Sequence, residues 1–147
     1  MIHYFKKQNL IIPTIIFSII ILTVIIFTFS IDKNTNLKII KYIESIGWKV
    51  EQNPNDISYY KIPVEFDEVF NTYNNIQQKA GFDLSKYKGK NVVSYSYKII
   101  NHRYSNTNSV YVTILLYKGE IIGGEISLNQ NPGFIYEINN IKDLISS

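Results

Sequence analysis

NVVSYSYKII, residues 91–100, alternates apolar or aromatic side chains with polar ones, and this period of two decides the fold. Successive side chains of an extended strand point to opposite faces, so Val93, Tyr95, Tyr97 and Ile99 share one side. Downstream, residues 101–108 read NHRYSNTN, a polar loop. Residues 109–118, SVYVTILLYK, form a second strand rich in β-branched and aromatic side chains. Lys118-Gly119-Glu120 makes a tight connection into a third strand over residues 121–128. Asn131-Pro132-Gly133 marks a turn, and residues 140–145 read as a short closing helix. Upstream of the decisive stretch, FDLSKY (residues 82–87) reads as a capped single turn closed by Gly89. Before it, Pro63 opens a helical region with Val69, Phe70, Tyr73, Ile76 and Ala80 on one face and Gly81 as terminator. Residues 48–52 and 57–62 read as two more strands around an Asn-Pro-Asn-Asp turn. Thr35 or Asn36 can cap a helix to about Ser45, with Leu37, Ile40, Ile43 and Ile46 along one side and Gly47 at its end. Two helices and about five strands, three of them consecutive, predict an α+β fold: an antiparallel β-meander packed by the helices.

The N-terminal end obeys a different pattern. Residues 10–31, LIIPTIIFSIIILTVIIFTFSI, contain no ionisable side chain. At about 1.5 Å per residue, such a helix covers roughly 33 Å, close to the hydrocarbon thickness of a bilayer. The apolar character runs all round, whereas a soluble helix shows a polar stripe. The stretch is longer than a signal-peptide core and lacks a small-residue cleavage site, so an uncleaved single-pass transmembrane anchor is expected. Residues 1–9 then form a short cytoplasmic N-terminus, 32–36 a polar linker, and 37–147 one extracytoplasmic α+β domain. Lys6 and Lys7, directly before the apolar run, place the N-terminus inside. Lys33, Lys38 and Lys41 on the other flank pull the opposite way.

Of 15 basic residues only Lys6 and Lys7 precede the anchor, so residues 32–147 carry 13 bases against 12 acids. That balance gives no concentrated basic face for nucleic acid. The absence of cysteine excludes disulfides, thiolate metal sites and thiol nucleophiles. Alanine occurs once, at Ala80, while Ile, Asn, Lys and Tyr abound, the usage of an AT-rich genome.

Three blocks, YIESIGWKV (residues 42–50), IPVEFDEVFNTYNNIQQKAGFDLSKYKGKNVVSYSYKIIN (62–101) and ILLYKGEIIGGEI (114–126), resemble the bacterial domain-of-unknown-function family 4830 (DUF4830). GFDLSKYKGK and the closing GGEI carry most of the likeness, which covers about residues 42–126. It implies a small anchored or secreted protein of a low-GC Gram-positive bacterium. It implies no activity, no cofactor and no functional residues. From Ser127 onward the chain departs from the family pattern.

Candidate chemistry is sparse. His102, the only histidine outside the N-terminal segment, has no cysteine to pair with and reads as a solvated loop residue rather than a general base. Glu65, Asp67 and Glu68 lack the interleaved spacing of a metal loop and suit the positive end of a helix dipole. Gly123-Gly124 lies within a strand pattern, which favours a bulge or a close backbone approach over a phosphate loop. Lys86, Lys88 and Lys90 alternate on a turn and could face an anionic wall polymer or lipid. Tyr95, Tyr97 and Tyr111 stand out among the strand and loop tyrosines as candidate binding side chains, although cross-strand packing would use the same rings. The expected role is a non-enzymatic binding or interaction module at the cell envelope, with no cofactor, no metal and no nucleic-acid partner. An envelope-directed hydrolase, or a regulatory partner or inhibitor of another membrane protein, is the alternative.

Overall fold

The computed structural model describes residues 11–105, 110–128 and 133–140, with side chains for all of these except 11–12 and 25–32. The chain divides into two units, Met1–Thr35 and Asn36–Ser147.

The first unit holds most of helix α1, Ile11–Ser45. Between Pro13 and Val24 its large apolar side chains are 44–65% exposed, on every side of the helix. Among the described residues no helix is long and apolar enough to cross a membrane. The apolar run of residues 10–31 extends past both ends of that described stretch. Residues 32–36, expected as a linker, belong to α1, so no separate cap at Thr35 or Asn36 is present.

The second unit is α+β, as the period-two pattern requires. Its strands are β1 (Asp56–Lys61), β2 (Asn91–Lys98), β3 (Val110–Tyr117), β4 (Glu120–Leu128) and β5 (Phe134–Glu137). They form one antiparallel sheet in the order β1-β2-β3-β4-β5, a plain meander. Helix α2 (Glu68–Lys79) and a 3₁₀ turn (Leu84–Tyr87) lie between β1 and β2 in sequence. Residues 48–52 are not a strand: they make one bridge, Val50 to Ile99, at the end of β2. The fifth strand is β5 instead, a four-residue segment just after the Pro132-Gly133 punctuation. The expected helix over residues 140–145 lies outside the described residues except for Asn140.

One sheet face bears the main core. Tyr95, Tyr97, Ile99, Val110, Val112, Ile114, Ile126 and Leu128 pack on Ile39, Ile40 and Ile43 of α1, together with Trp48, Val50 and Ile138. Ile39 takes the inward place assigned by periodicity to Leu37, which is exposed. The helix stops where glycine allows it. Gly47 has φ 94°, and the N–H groups of Gly47 and Trp48 donate to the carbonyls of Glu44 and Ile43 at 2.9 and 3.2 Å, a Schellman closure. Trp48 Nε1 then donates to the Ile138 carbonyl at 2.8 Å, so the buried indole is satisfied.

The other face is built in rungs, which the strand register fixes. Tyr60 and Val92 form the first; Ser58, Ser94, Leu115 and Gly123 the second. Asp56, Ser96, Thr113, Glu125 and Glu137 form the third, and Lys98, Tyr111, Ser127 and Ile135 the fourth. A second apolar cluster, with Ile62, Leu84, Val92, Leu115 and Ile122 at its centre and Phe66, Phe70 and Tyr73 around it, covers the first two rungs. The register shifts between Leu115 and Leu116, and Ile122 is the extra residue of that bulge.

Candidate functional site

The lower two rungs of this second face are largely polar, with the carboxyls of Asp56, Glu125 and Glu137 and the hydroxyls of Ser96, Thr113, Tyr111 and Ser127, and beside them lies an open cleft of about 740 Å³. Its lining comprises Ile76 of α2, Ser96 of β2, Tyr111 of β3, Ser127 and Leu128 of β4, and Gly133, Phe134 and Ile135 at β5. Leu128 and Phe134 pack into the main core on the opposite face. The side chains that shape the cleft are therefore Ile76, Ser96, Tyr111, Ser127 and Ile135. Tyr111 and Ser127 are direct cross-strand partners, and Ser127 in turn faces Ile135. Ser96 Oγ accepts from Thr113 Oγ1 at 3.3 Å, and its own O–H has no acceptor among the described residues. Neither the Tyr111 nor the Ser127 hydroxyl has a partner among the described residues. Apart from the Tyr111 phenol, nothing among the described residues lining the cleft can ionise. A smaller, mainly apolar groove of about 520 Å³, lined by Val69, Phe70, Tyr73, Ile76 and Ile135 together with Glu68 and Thr72, continues along α2.

Glu125 sits one rung above Ser127, where α2 crosses the sheet. Tyr73 donates its hydroxyl proton to Glu125 Oε2 at 2.8 Å, and Gln77 Nε2 donates to the same oxygen at 3.2 Å. Gln77 Oε1 accepts from the Gly124 N–H at 2.8 Å, so this one side chain ties α2 to two adjacent residues of β4. The glycines make that possible. A Cβ on Gly123 would come within 2.8 Å of Gln77 Oε1, and one on Gly124 within 2.7 Å of Ile138 Cδ1. Burial pushes the Glu125 carboxyl up to about 7, against the two hydrogen bonds that hold it down. Burial also raises Tyr73 and Tyr60 far above the ordinary phenol range, and the Glu125 charge adds to it. Oε1 of Glu125 has no hydrogen-bond partner among the described residues.

The residues singled out from sequence do not converge. Tyr95 and Tyr97 belong to the main core, and Tyr97 is fully buried, its hydroxyl donating to Asn36 Oδ1 at 2.7 Å. They are packing residues, because β2 turns its odd positions toward α1. Tyr111 alone of the three tyrosines reaches the cleft. Lys86, Lys88 and Lys90 are exposed around the 3₁₀ turn, with Lys88 Nζ 4.6 Å from the Phe66 ring centre. They are absent from the cleft lining.

His102 is not solvated. It is 1% exposed and stacks on Trp48 at 5.8 Å between ring centres, with Tyr104 and Phe134 close by. Its Nδ1 accepts from the Tyr104 N–H at 3.1 Å, while its buried Nε2 has no partner among the described residues. Burial and then the Arg103 charge lower its basicity. Among the described residues no group of three or more His, Cys, Asp or Glu side chains could hold a metal ion. Asp67 instead caps α2, accepting from the Phe70 N–H at 2.7 Å, with Glu68 in the first turn.

The profile of a domain of unknown function, DUF4830, matches residues 42–126. That stretch is more than half of the chain. The chain belongs to the DUF4830 family. No curated protein and no solved structure matches it. The DUF4830 match begins in the last turn of α1 and ends at Ile126 in β4, so it contains α2, the glycine pair, Gln77, Glu125, Ser96 and Tyr111. Ser127 and Ile135 lie beyond it. One wall of the cleft is thus family material, and the other belongs to the segment that follows.

Glu125 was the residue that sequence reasoning passed over. Its signal was present: it is the one charge in IIGGEISL, at a position that alternation places on a covered strand face.

Proposed function

We propose that the chain is a single-pass, membrane-anchored binding module whose domain lies outside the cytoplasm and takes its ligand in the cleft beside α2. The observation that carries this reading is the cleft itself. Beyond the rungs that the second apolar cluster covers, Ser96, Tyr111 and Ser127 turn hydroxyls toward the open cleft beside α2. Hydroxyls beside an open volume suit a ligand's hydrogen bonds, and Ile76 and Ile135 offer apolar contact at its edge. Anchorage rests on the uncharged run of residues 10–31 and on large apolar side chains exposed on every side of the helix between residues 13 and 24, which suits lipid and not water.

The absence of cysteine provides a clean test. Ser127→Cys and Lys86→Cys are treated with a membrane-impermeant maleimide in intact cells and in wall-stripped spheroplasts. In spheroplasts both should label. In intact cells Ser127→Cys should be protected relative to Lys86→Cys, because the cleft is occupied. If neither labels until the membrane is opened, the domain faces the cytoplasm and the proposal fails. Equal protection at both positions would remove the cleft from it.

A second reading, an envelope-directed hydrolase, has one observation in its favour. Glu125 and Glu137 are cross-strand partners, and their environments push the two carboxyls apart. Glu137 is held ionised by a hydrogen bond from its own backbone and by Lys79, which sits 3.0 Å away, while burial keeps Glu125 protonated to about pH 7. Release of reducing ends from wall glycan by the purified chain, lost in Glu125→Gln, is the result this reading requires.

A further inference from the structure

We infer that the ligand class of the cleft is a neutral saccharide, held by the Tyr111 ring and by the hydroxyls of Tyr111, Ser127 and Ser96. The inference rests on the cleft being a binding site and specifies what binds there.

An anionic polymer needs ammonium or guanidinium groups, and a cationic ligand needs carboxylates. Among the described residues the cleft lining has neither. The charged side chains of this sheet face stand outside the lining and are mostly engaged. Glu125 is tied to Tyr73 and Gln77, Glu137 is paired with Lys79 at 3.0 Å, and Lys98 lies 4.0 Å from Glu51. Asp56 accepts from the Ser58 hydroxyl at 2.6 Å. Lys86, Lys88 and Lys90 lie elsewhere, so the electrostatic feature visible in the sequence does not serve this site.

Next comes the donor set. Tyr111, Ser127 and Ser96 offer hydroxyls, each able to donate and accept, which matches the two-way hydrogen bonding of sugar hydroxyls. Tyr111 is half-buried in the middle of the fourth rung, between its direct cross-strand neighbours Ser127 and Lys98, and it is on the Ser127 side that the cleft lies. An aromatic ring flanked by hydroxyls suits a pyranose, whose C–H face is apolar and whose rim is polar. Ile76 and Ile135 supply the remaining apolar contact. An extended peptide would instead seek unpaired backbone at a strand edge. The side chains in question project from the interior strands β2, β3 and β4, whose backbones are already paired on both sides.

The test uses the full chain in detergent micelles with 3-fluorotyrosine at position 111. The probes are chitotriose, maltotriose, an anionic trigalacturonate and a trialanine peptide. Chitotriose or maltotriose should shift the ¹⁹F resonance saturably, and trigalacturonate should not. Ser127→Ala and Ser96→Ala, each removing one hydrogen-bonding hydroxyl, should weaken binding by about fivefold. Lys86→Ala should leave it unchanged. Isothermal titration of Tyr111→Ala, checked for folding by its far-ultraviolet circular dichroism, should show no binding. A shift by trialanine but by neither neutral sugar would overturn the saccharide inference and leave the cleft as a binding site. Silence to every probe would remove both. Sugar binding that survives both serine variants and Tyr111→Ala would place the sugar elsewhere and overturn the inference.

Discussion

Glu125 ordinarily would titrate near 4.5, and burial beneath α2 pushes it to about 7. Between those values the folded chain keeps a proton that the unfolded chain has released. Stability from this group therefore falls as pH rises from 4.5 to 7 and is flat above. His102 acts in the opposite sense. Burial lowers its pKa, so the unfolded chain binds the proton more readily and stability rises with pH up to about 6.5. The wild-type profile is the sum of two opposed slopes, and a single substitution separates them. Glu125→Gln keeps a carbonyl oxygen to accept from Tyr73 and Gln77 but cannot ionise. Because Glu125 is partly open to solvent, its stability gain over wild type should grow by only about 2 kcal/mol between pH 4 and pH 8. Urea titrations across that range measure it, and a gap that stays constant would show an ordinary carboxylate.

Helix α2 shows how far a hydropathy pattern reaches. Periodicity turned Val69, Phe70, Tyr73, Ile76 and Ala80 inward, yet Val69 is 78% exposed and the buried positions are Asn74 and Gln77. Both amides are buried because each substitutes for backbone pairing. Asn74 Oδ1 accepts from the Leu84 N–H at 2.8 Å, and Gln77 bridges to Gly124 and Glu125. A polar residue buried for its hydrogen bonds is invisible to a scale that counts only apolarity. Gln77→Leu keeps most of the volume but strands the Gly124 N–H, so it should cost about 2–3 kcal/mol. Val69→Ala should change stability by less than about 0.5 kcal/mol. Thermal or urea unfolding of the two variants side by side decides between the faces. The strands divide in the same way. β2, β3 and β4 were legible because each is long enough to show alternation, and the α+β meander follows from them. Residues 48–52 alternate as well, but Trp48 and Val50 are buried by packing against α1 and the sheet, without a ladder. β5 has four residues, too few for a period to register. The cleft needed the register of four strands at once, so of its side chains only Tyr111 could be named in advance.

At the scale of the whole molecule, the division at Thr35 and Asn36 separates two ways of being stable. The C-terminal unit has its own core and contributes every residue of the cleft. The N-terminal unit exposes apolar side chains around its helix and, under the proposed function, meets its need for burial in lipid. Asn36 belongs to the former: its side chain donates to the Gln52 carbonyl at 3.0 Å and accepts from Tyr97 at 2.7 Å. Those bonds leave it unavailable to cap a shortened helix, so a truncated chain should begin before it, at Asp32, and retain Thr35 as a capping residue. Lys38 provides a further tie inside the unit, donating to the Gly119 carbonyl at 2.7 Å and pairing with Glu120 at 3.0 Å. A chain of residues 32–147 should therefore remain in the supernatant after alkaline carbonate extraction, while the full chain stays with the membrane pellet. Its melting temperature should lie within a few degrees of the full chain's in detergent, because the residues of both apolar clusters, from Ile39 onward, are all retained. A truncated chain that pellets, or that melts without a cooperative transition, would mean that the N-terminal helix belongs to the fold and is not a membrane anchor alone.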